Sequence, residues 1–383
     1  MLVIKEMSTM RKFSKYLKVG YNYSKNRMLT DKSIKNKKMF TGPWSAYLNI
    51  TYNCNCKCIH CPTEIAETAK GEKASEYLSV DEYSRLIDQL VASGCLRIGV
   101  TGGEPLLFKE KTFRILKKIN EKAYSQIVTN GSCLDKDFLD SYNEIGGGHI
   151  TVSIDGLYQN HDKIRQKPGL FKKLEYIMDL FDEKRYKNIM LKSTFTLTNN
   201  TVDDLIPTAE YLIRRKIPLF INLYVKDPVF FSFSKYLQHK PSLLENRKNP
   251  LWIQEEKEKA LTSAIKRIVA LKKKFPYLII NSNTYLLAIE DYFLRPEKAF
   301  HSPRRCYQAY RTVHVTPNGQ VTACAGAVES VRNGNFFDIW DSSKFHHIRK
   351  LQLHCRNNCM SLCVIDHSYL DLFRVIAYQA FKK

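Results

Sequence analysis

Between residues 46 and 224 short apolar runs alternate with longer segments whose apolar residues recur at spacings of three and four. The short runs predict strands at Ala46–Thr51, Arg97–Val100, Gln126–Thr129, His149–Ile154, Met190–Leu197 and Leu219–Tyr224. The longer segments predict helices at Leu78–Ala92, Thr112–Lys122, Lys136–Tyr142, Leu170–Phe181 and Val202–Arg214. In the first helix Tyr83, Leu86, Ile87, Leu90 and Val91 share one face, and Ser79 followed by Glu82 spells a capping box. Strand–helix alternation of this length requires a parallel sheet with helical crossovers. The fold class expected is therefore α/β, a partial (β/α)6 TIM-like barrel over residues 45–225. A charged helix at Gln254–Lys273 lies in a connecting segment, 226–300. Two alternating strands around Asn318-Gly319 then predict a hairpin in a small C-terminal β-hairpin-plus-helix domain, 301–383, whose tail Ser368–Lys383 reads as a helix.

Motifs follow the C-terminal ends of these strands, where α/β barrels and open sheets place their chemistry. Cys54-Asn55-Cys56-Lys57-Cys58-Ile59-His60-Cys61 follows the first strand, Gly102-Gly103-Glu104-Pro105 the second, Asn130-Gly131 the third and Asp155-Gly156 the fourth. Gly102 and Gly103 permit close approach of a ligand, Pro105 stiffens the turn and Glu104 offers an acceptor for an ammonium group. The eleven cysteines are clustered: four in the first loop and five from Cys306 to Cys363, with Cys95 and Cys133 alone and read as ordinary buried thiols. Cys54-x3-Cys58-x2-Cys61 can hold three irons of a cubane and leave the fourth open to a ligand. A closed zinc site completed by Cys56 or His60 satisfies the same local spacing.

Charge changes the picture less. The formal charge is +22 on 383 residues. Abundant Lys, Asn, Ile and Tyr together point to codon bias and solvated helix faces before a polyanion site. Residues 1–44 are strongly basic, with Phe13, Tyr16, Leu17, Tyr21 and Tyr23 interleaved. They suit either peripheral contact with an anionic membrane or packing on the domain edge. No apolar run reaches the roughly 18–20 residues of a membrane span. The start lacks the apolar core of a secretory signal. A cytoplasmic location is expected, in keeping with thiolates kept for metal.

The cysteine spacing, followed one strand later by Gly102-Gly103-Glu104-Pro105, resembles the radical S-adenosylmethionine (SAM) superfamily. The resemblance implies a catalytic [4Fe-4S] cluster on Cys54, Cys58 and Cys61, with Cys56 outside the ligand set. SAM would chelate the open iron and lie on the Gly-Gly-Glu-Pro turn. It also places Ser153 on the SAM ribose, Arg165 on its carboxylate and Asn130 facing the same site. Cys306, Gly319-x4-Cys324 and Cys355-x3-Cys359-x3-Cys363, with Gly334-Asn335 and Ile339-Trp340 between, resemble the SPASM/twitch domain. That implies a second, auxiliary [4Fe-4S] cluster on Cys306, Cys324 and two of the last three cysteines. The closing cysteines depart from the full SPASM pattern, and a zinc ribbon fits the same hairpin.

The expectation is an oxidoreductase or maturase that takes electrons from a reductant such as flavodoxin or ferredoxin and acts on a peptide or protein. The alternative is an anionic small molecule or lipid-linked sugar. The basic segment is too short and irregular for a leader-peptide-binding domain. A C-terminal end without Gly-Arg-Arg speaks against the molybdopterin-precursor cyclase. A zinc-binding nucleic-acid module is the competing class; no nucleic-acid motif accompanies the basic residues, and no nucleic acid is expected as partner.

Overall fold

The computed structural model describes residues 24–36, 38–61, 76–183, 185–225, 243–297, 307–323, 327–332 and 334–353. Its centre is one mixed sheet in the order β6-β5-β4-β3-β2-β1-β7-β8-β9. Strands β1 (Ser45–Asn49), β2 (Arg97–Thr101), β3 (Tyr124–Thr129), β4 (Gly148–Ser153), β5 (Ile189–Leu197) and β6 (Leu219–Leu223) are mutually parallel. Helices cross between them: α2 (Val80–Ala92), α3 (Lys109–Lys122), α4 (Lys136–Glu144), α5 (Tyr158–Arg165), α6 (Leu170–Asp182) and α7 (Leu205–Arg214), after an edge helix, α1, over 24–36. The expected α/β barrel architecture is thus present.

Period-two alternation divides each strand between two environments. Ala46, Leu48, Ile98, Val100, Ile127, Ile150 and Val152 are essentially fully buried in the hydrophobic core. The alternate positions point to the concave side, the lumen, and are largely polar. The cap of α2 forms as its sequence predicts: the Glu82 backbone N–H donates to Ser79 Oγ at 3.2 Å, and the Ser79 N–H to Glu82 Oε2 at 2.7 Å.

Two features were not expected. The Asn318-Gly319 hairpin forms from β7 (Thr312–Val315) and β8 (Gln320–Thr322), but β7 also pairs parallel with β1, Ser45 opposite Thr312 and Tyr47 opposite His314. The hairpin therefore extends the barrel sheet, and β9 (Ala327–Ser330) extends it further. Helix α8 (Glu258–Lys274) matches the expected charged helix, with Leu261, Ile265 and Ile268 buried, but it is followed by an apolar helix, α9 (Asn283–Leu294). Asn281, between them, clasps the β6 backbone, donating to Ile221 O at 2.9 Å and accepting from its N–H at 2.8 Å. The described part of the basic N-terminal segment packs on the barrel edge: Asn26 Nδ2 donates to Gly94 O at 2.8 Å, and Trp44 Nε1 to Thr30 Oγ1 at 3.0 Å. Residues 1–23 and the tail 368–383 lie outside the described residues. No described helix is long and apolar enough to cross a membrane.

Candidate active site

The cysteine loop leaves β1 at the C-terminal rim of the barrel. Cys54 and Cys61 are exposed and Cys58 half-buried, whereas Cys56 is buried among core residues. Cys54 Sγ accepts the Cys56 backbone N–H at 3.5 Å and Asn130 Nδ2 at 3.7 Å. The thiol of Cys56, donating towards both neighbours, pulls Cys54 down to about 6 and Cys58 to about 7, against the effect of burial. The same bonds, with burial, push Cys56 far up. Burial and the neighbouring thiolates raise Cys61 to about 11. Among the described residues no three His, Cys, Asp or Glu side chains converge on a single metal-ion position. A cubane asks something else, one sulfur at each of three corners.

The Gly-Gly-Glu-Pro turn, after β2, docks directly on this loop. Gly103 N–H donates to Thr51 O and Glu104 N–H to Asn53 O, both at 2.8 Å. A Cβ on Gly102 would lie 2.3 Å from Thr51 O, and one on Gly103 2.2 Å from Asn53 O. Gly102 also has φ +142°. The close approach expected of a ligand is therefore made by the protein's own backbone, and a side chain at either glycine would push the cysteine loop out of place. Glu104 is fully buried. It accepts from Leu106 N–H (2.9 Å), Thr129 Oγ1 (2.8 Å) and Asn130 N–H (2.7 Å). Burial pushes its carboxyl up to about 7 despite these bonds. No described cation pairs with it. A cation arriving beside it would restore the charged form.

Arg165 closes the other side of the loop. It ends α5, and its Nη1 donates to Cys58 Sγ at 3.5 Å. Its Nη2 pairs with Asp155 Oδ2, and the Ile59 N–H donates to Ile164 O at 3.0 Å. Asp155 is fully buried; its Oδ1 takes the Thr196 N–H at 2.7 Å, and His60 Nε2 stands 3.7 Å from Oδ2. Burial alone would raise the Asp155 carboxyl, but Arg165, with His60, holds it below the usual range. Burial lowers His60 to about 4. Burial would likewise lower Arg165, yet Asp155 and Cys58 keep it firmly charged.

Of the expected rim residues, the fold gathers Cys54, Cys58, Cys61, Gly102, Gly103, Glu104, Asn130 and Arg165 around one loop. Pro105 opens the 3-10 turn after Glu104. Ser153, the last residue of β4, faces the lumen opposite Thr194. Cys306, Cys324, Cys355, Cys359 and Cys363 lie outside the described residues. Residues 48–212 match the family model of the Radical SAM superfamily, and residues 306–363 match SPASM, an iron-sulfur cluster-binding domain. The chain carries a Radical SAM domain followed by a SPASM domain.

The Radical SAM domain carries a [4Fe-4S] cluster and SAM, and the SPASM match carries auxiliary iron–sulfur binding. The residues present fit both catalytic groups: two thiols already drawn towards thiolate, and a buried carboxylate without a cation beside them. A Fe-coproporphyrin III synthase of Methanosarcina barkeri is 29% identical over 44% of this chain and 41% of that protein. The chain thus spans about two-fifths of that relative's length. A probable GTP 3′,8-cyclase of Methanococcus maripaludis is 25% identical over 75% of this chain and 89% of the other. Among solved structures, Streptococcus suis SuiB bound to precursor peptide SuiA shares the fold, with a TM-score of 0.60 at 13% identity over 90% of this chain and 79% of that one.

Sequence reasoning missed two members of this radical SAM rim. Asp155 was seen only as the end of a strand, although an acid directly after a buried strand, next to Gly156, was the available signal. His60 was weighed only as a zinc ligand. Cys133, expected to be an ordinary buried thiol, is half-buried and takes Asn55 Nδ2 at 3.5 Å behind the cysteine loop. Cys95 is buried as expected.

Proposed function

We propose that this enzyme cleaves SAM reductively and takes a hydrogen atom from a peptide or protein, as a maturase or oxidoreductase fed by flavodoxin or ferredoxin. The observation that carries the reading is Glu104: a buried carboxylate with only neutral donors, on the turn that seats the cysteine loop. When bound, the cluster supplies one electron that breaks a C–S bond of SAM, giving methionine and a 5′-deoxyadenosyl radical. Cys54, Cys58 and Cys61 hold three irons, while Cys56 fills a core position and hydrogen-bonds its neighbours. Glu104 takes the SAM ammonium group. Arg165, pinned by Asp155, faces the SAM carboxylate and steadies Cys58. Asn130 fixes Cys54, and Ser153 meets the ribose. Cys306, Cys324 and two of Cys355, Cys359 and Cys363 hold an auxiliary cluster.

One point supports a peptide substrate: the shared fold of SuiB, a protein described with its precursor peptide. The experiment is isotope transfer. Candidate peptides deuterated at each residue in turn are incubated anaerobically with the reconstituted enzyme, SAM and dithionite. Deuterium in 5′-deoxyadenosine marks the site of abstraction. Transfer from an anionic small molecule but from no peptide would overturn the peptide reading.

A further inference from the structure

Below the rim the lumen changes character. Along the inward-facing positions of β1 to β7 there is no Asp or Glu. Three basic groups converge there: Arg97 on β2, His149 on β4 and Lys192 on β5. Lys192 Nζ lies 3.0 Å from His149 Nδ1. The simplest assignment is an ammonium donating to Nδ1, which leaves the proton of the neutral ring on Nε2. That Nε2 is buried and has no partner among the described residues, in a side chain 8% exposed. Among the described residues Arg97 Nη2 meets only the Tyr47 hydroxyl, at 3.2 Å, and the guanidinium lies over its ring. Among the described residues neither Arg97 nor Lys192 pairs with a carboxylate. Burial, with the charge of Arg97, pulls Lys192 down to about 7. Burial and both cations hold His149 well below its ordinary value.

We infer that Arg97, His149 and Lys192 form a subsite for an anionic group of the substrate, a carboxylate or a phosphate. The inference rests on the radical SAM reading and narrows its substrate. The donors stand on three strands with no carboxylate between them among the described residues, and charge buried without a counter-charge is costly. An arriving anion offsets that cost. Lys192 and Arg97 are half-buried, so the lumen reaches them. Lys192 lies level with Thr151, four residues before Thr196 beside the rim aspartate. At roughly 3.3 Å per residue the subsite lies on the order of 10 Å below the rim, where the radical SAM reading puts SAM. The substrate is therefore elongated, anionic at the end away from the reacting carbon.

Site-specific labelling tests this on the wild-type holoenzyme. Trace acetic anhydride labels lysine amines in potassium phosphate, potassium acetate or potassium chloride of equal ionic strength, and mass spectrometry reads Lys192 against the exposed Lys187. Phosphate or acetate should slow Lys192 at least several-fold and leave Lys187 unchanged. Protection by phosphate alone names a phosphoryl group, and protection by acetate alone a carboxylate. Equal labelling of Lys192 in all three salts overturns the subsite.

Variants give a second measure, the anion dependence of the unfolding midpoint. Lys192→Met and Arg97→Gln should weaken the apparent anion affinity at least about tenfold. Lys192→Arg and Lys187→Met should keep it. SAM cleavage without substrate should stay within about twofold of wild type in Lys192→Met, since SAM binds at the rim. Unchanged anion affinity in Lys192→Met contradicts the subsite. Lost SAM cleavage in the wild type, with anion protection intact, sinks the radical SAM reading and leaves the subsite standing.

Discussion

At the rim of the barrel each buried carboxylate is held by several partners, whereas among the described residues the cations of the lumen below it meet no carboxylate. Asp155 is held by Arg165 and His60, and Glu104 by three hydrogen-bond donors. Lys192 and Arg97 have only a histidine and a tyrosine. The difference follows from what each level binds. A rim that grips a zwitterion needs one carboxylate left open for an ammonium group and one arginine for a carboxylate, each held in place by neighbours. A lumen that grips only an anion needs donors and nothing to neutralise them in advance. Both levels stand on the same strands, so the alternation that builds the core also sorts these chemistries by height.

The comparison breaks most visibly at the rim. Cys58→Ala should reduce SAM cleavage to background, as read by 5′-deoxyadenosine, while the fold, read by circular dichroism, persists. Asp155→Asn leaves Arg165 charged and buried without its partner, which should cost about 3 kcal/mol of stability. Denaturant unfolding measures the loss. Replacing Lys192, which has no carboxylate partner to lose, should instead spare stability.

Glu104 sharpens the contrast through pH. Its folded value of about 7 lies above its ordinary value of 4.5, so the folded state binds the extra proton between them. Without SAM, stability should fall as pH rises from about 4.5 to about 7 and level off beyond. SAM affinity should rise through the same upper limb, because the ammonium group needs the ionised carboxylate. Glu104→Gln should flatten both profiles and weaken SAM binding, measured by anaerobic equilibrium dialysis. The smallest effect is expected from Thr129→Val, which removes one donor to Glu104 and should cost about 1 kcal/mol in SAM affinity.

Much of this was legible in the sequence. The period-two runs and the capping box located the six parallel strands and α2 closely, because both signals are local. The loop and turn motifs were legible because metal ligation and close backbone approach demand particular residues at fixed spacing. What escaped depended on contacts between distant segments. Nothing in Thr312–Val315 announces a parallel pairing with β1. Arg165 acts through Asp155, ten residues earlier, and the link needs the turn and α5 to bring them together. Lys192 and Arg97 read as two more basic residues in a chain of many. Only the register of β2, β4 and β5 shows that they share inward-facing strand positions free of acids.

Every role proposed above depends on Cys54, Cys58 and Cys61 carrying a cluster that cleaves SAM. The most direct measurement is anaerobic reconstitution with iron and sulfide, followed by metal analysis and a 5′-deoxyadenosine assay with SAM and dithionite. Iron with matching sulfide is expected, and 5′-deoxyadenosine in wild type but not in Cys58→Ala. Zinc in place of iron with no cleavage, or 5′-deoxyadenosine still formed by Cys58→Ala, would contradict it.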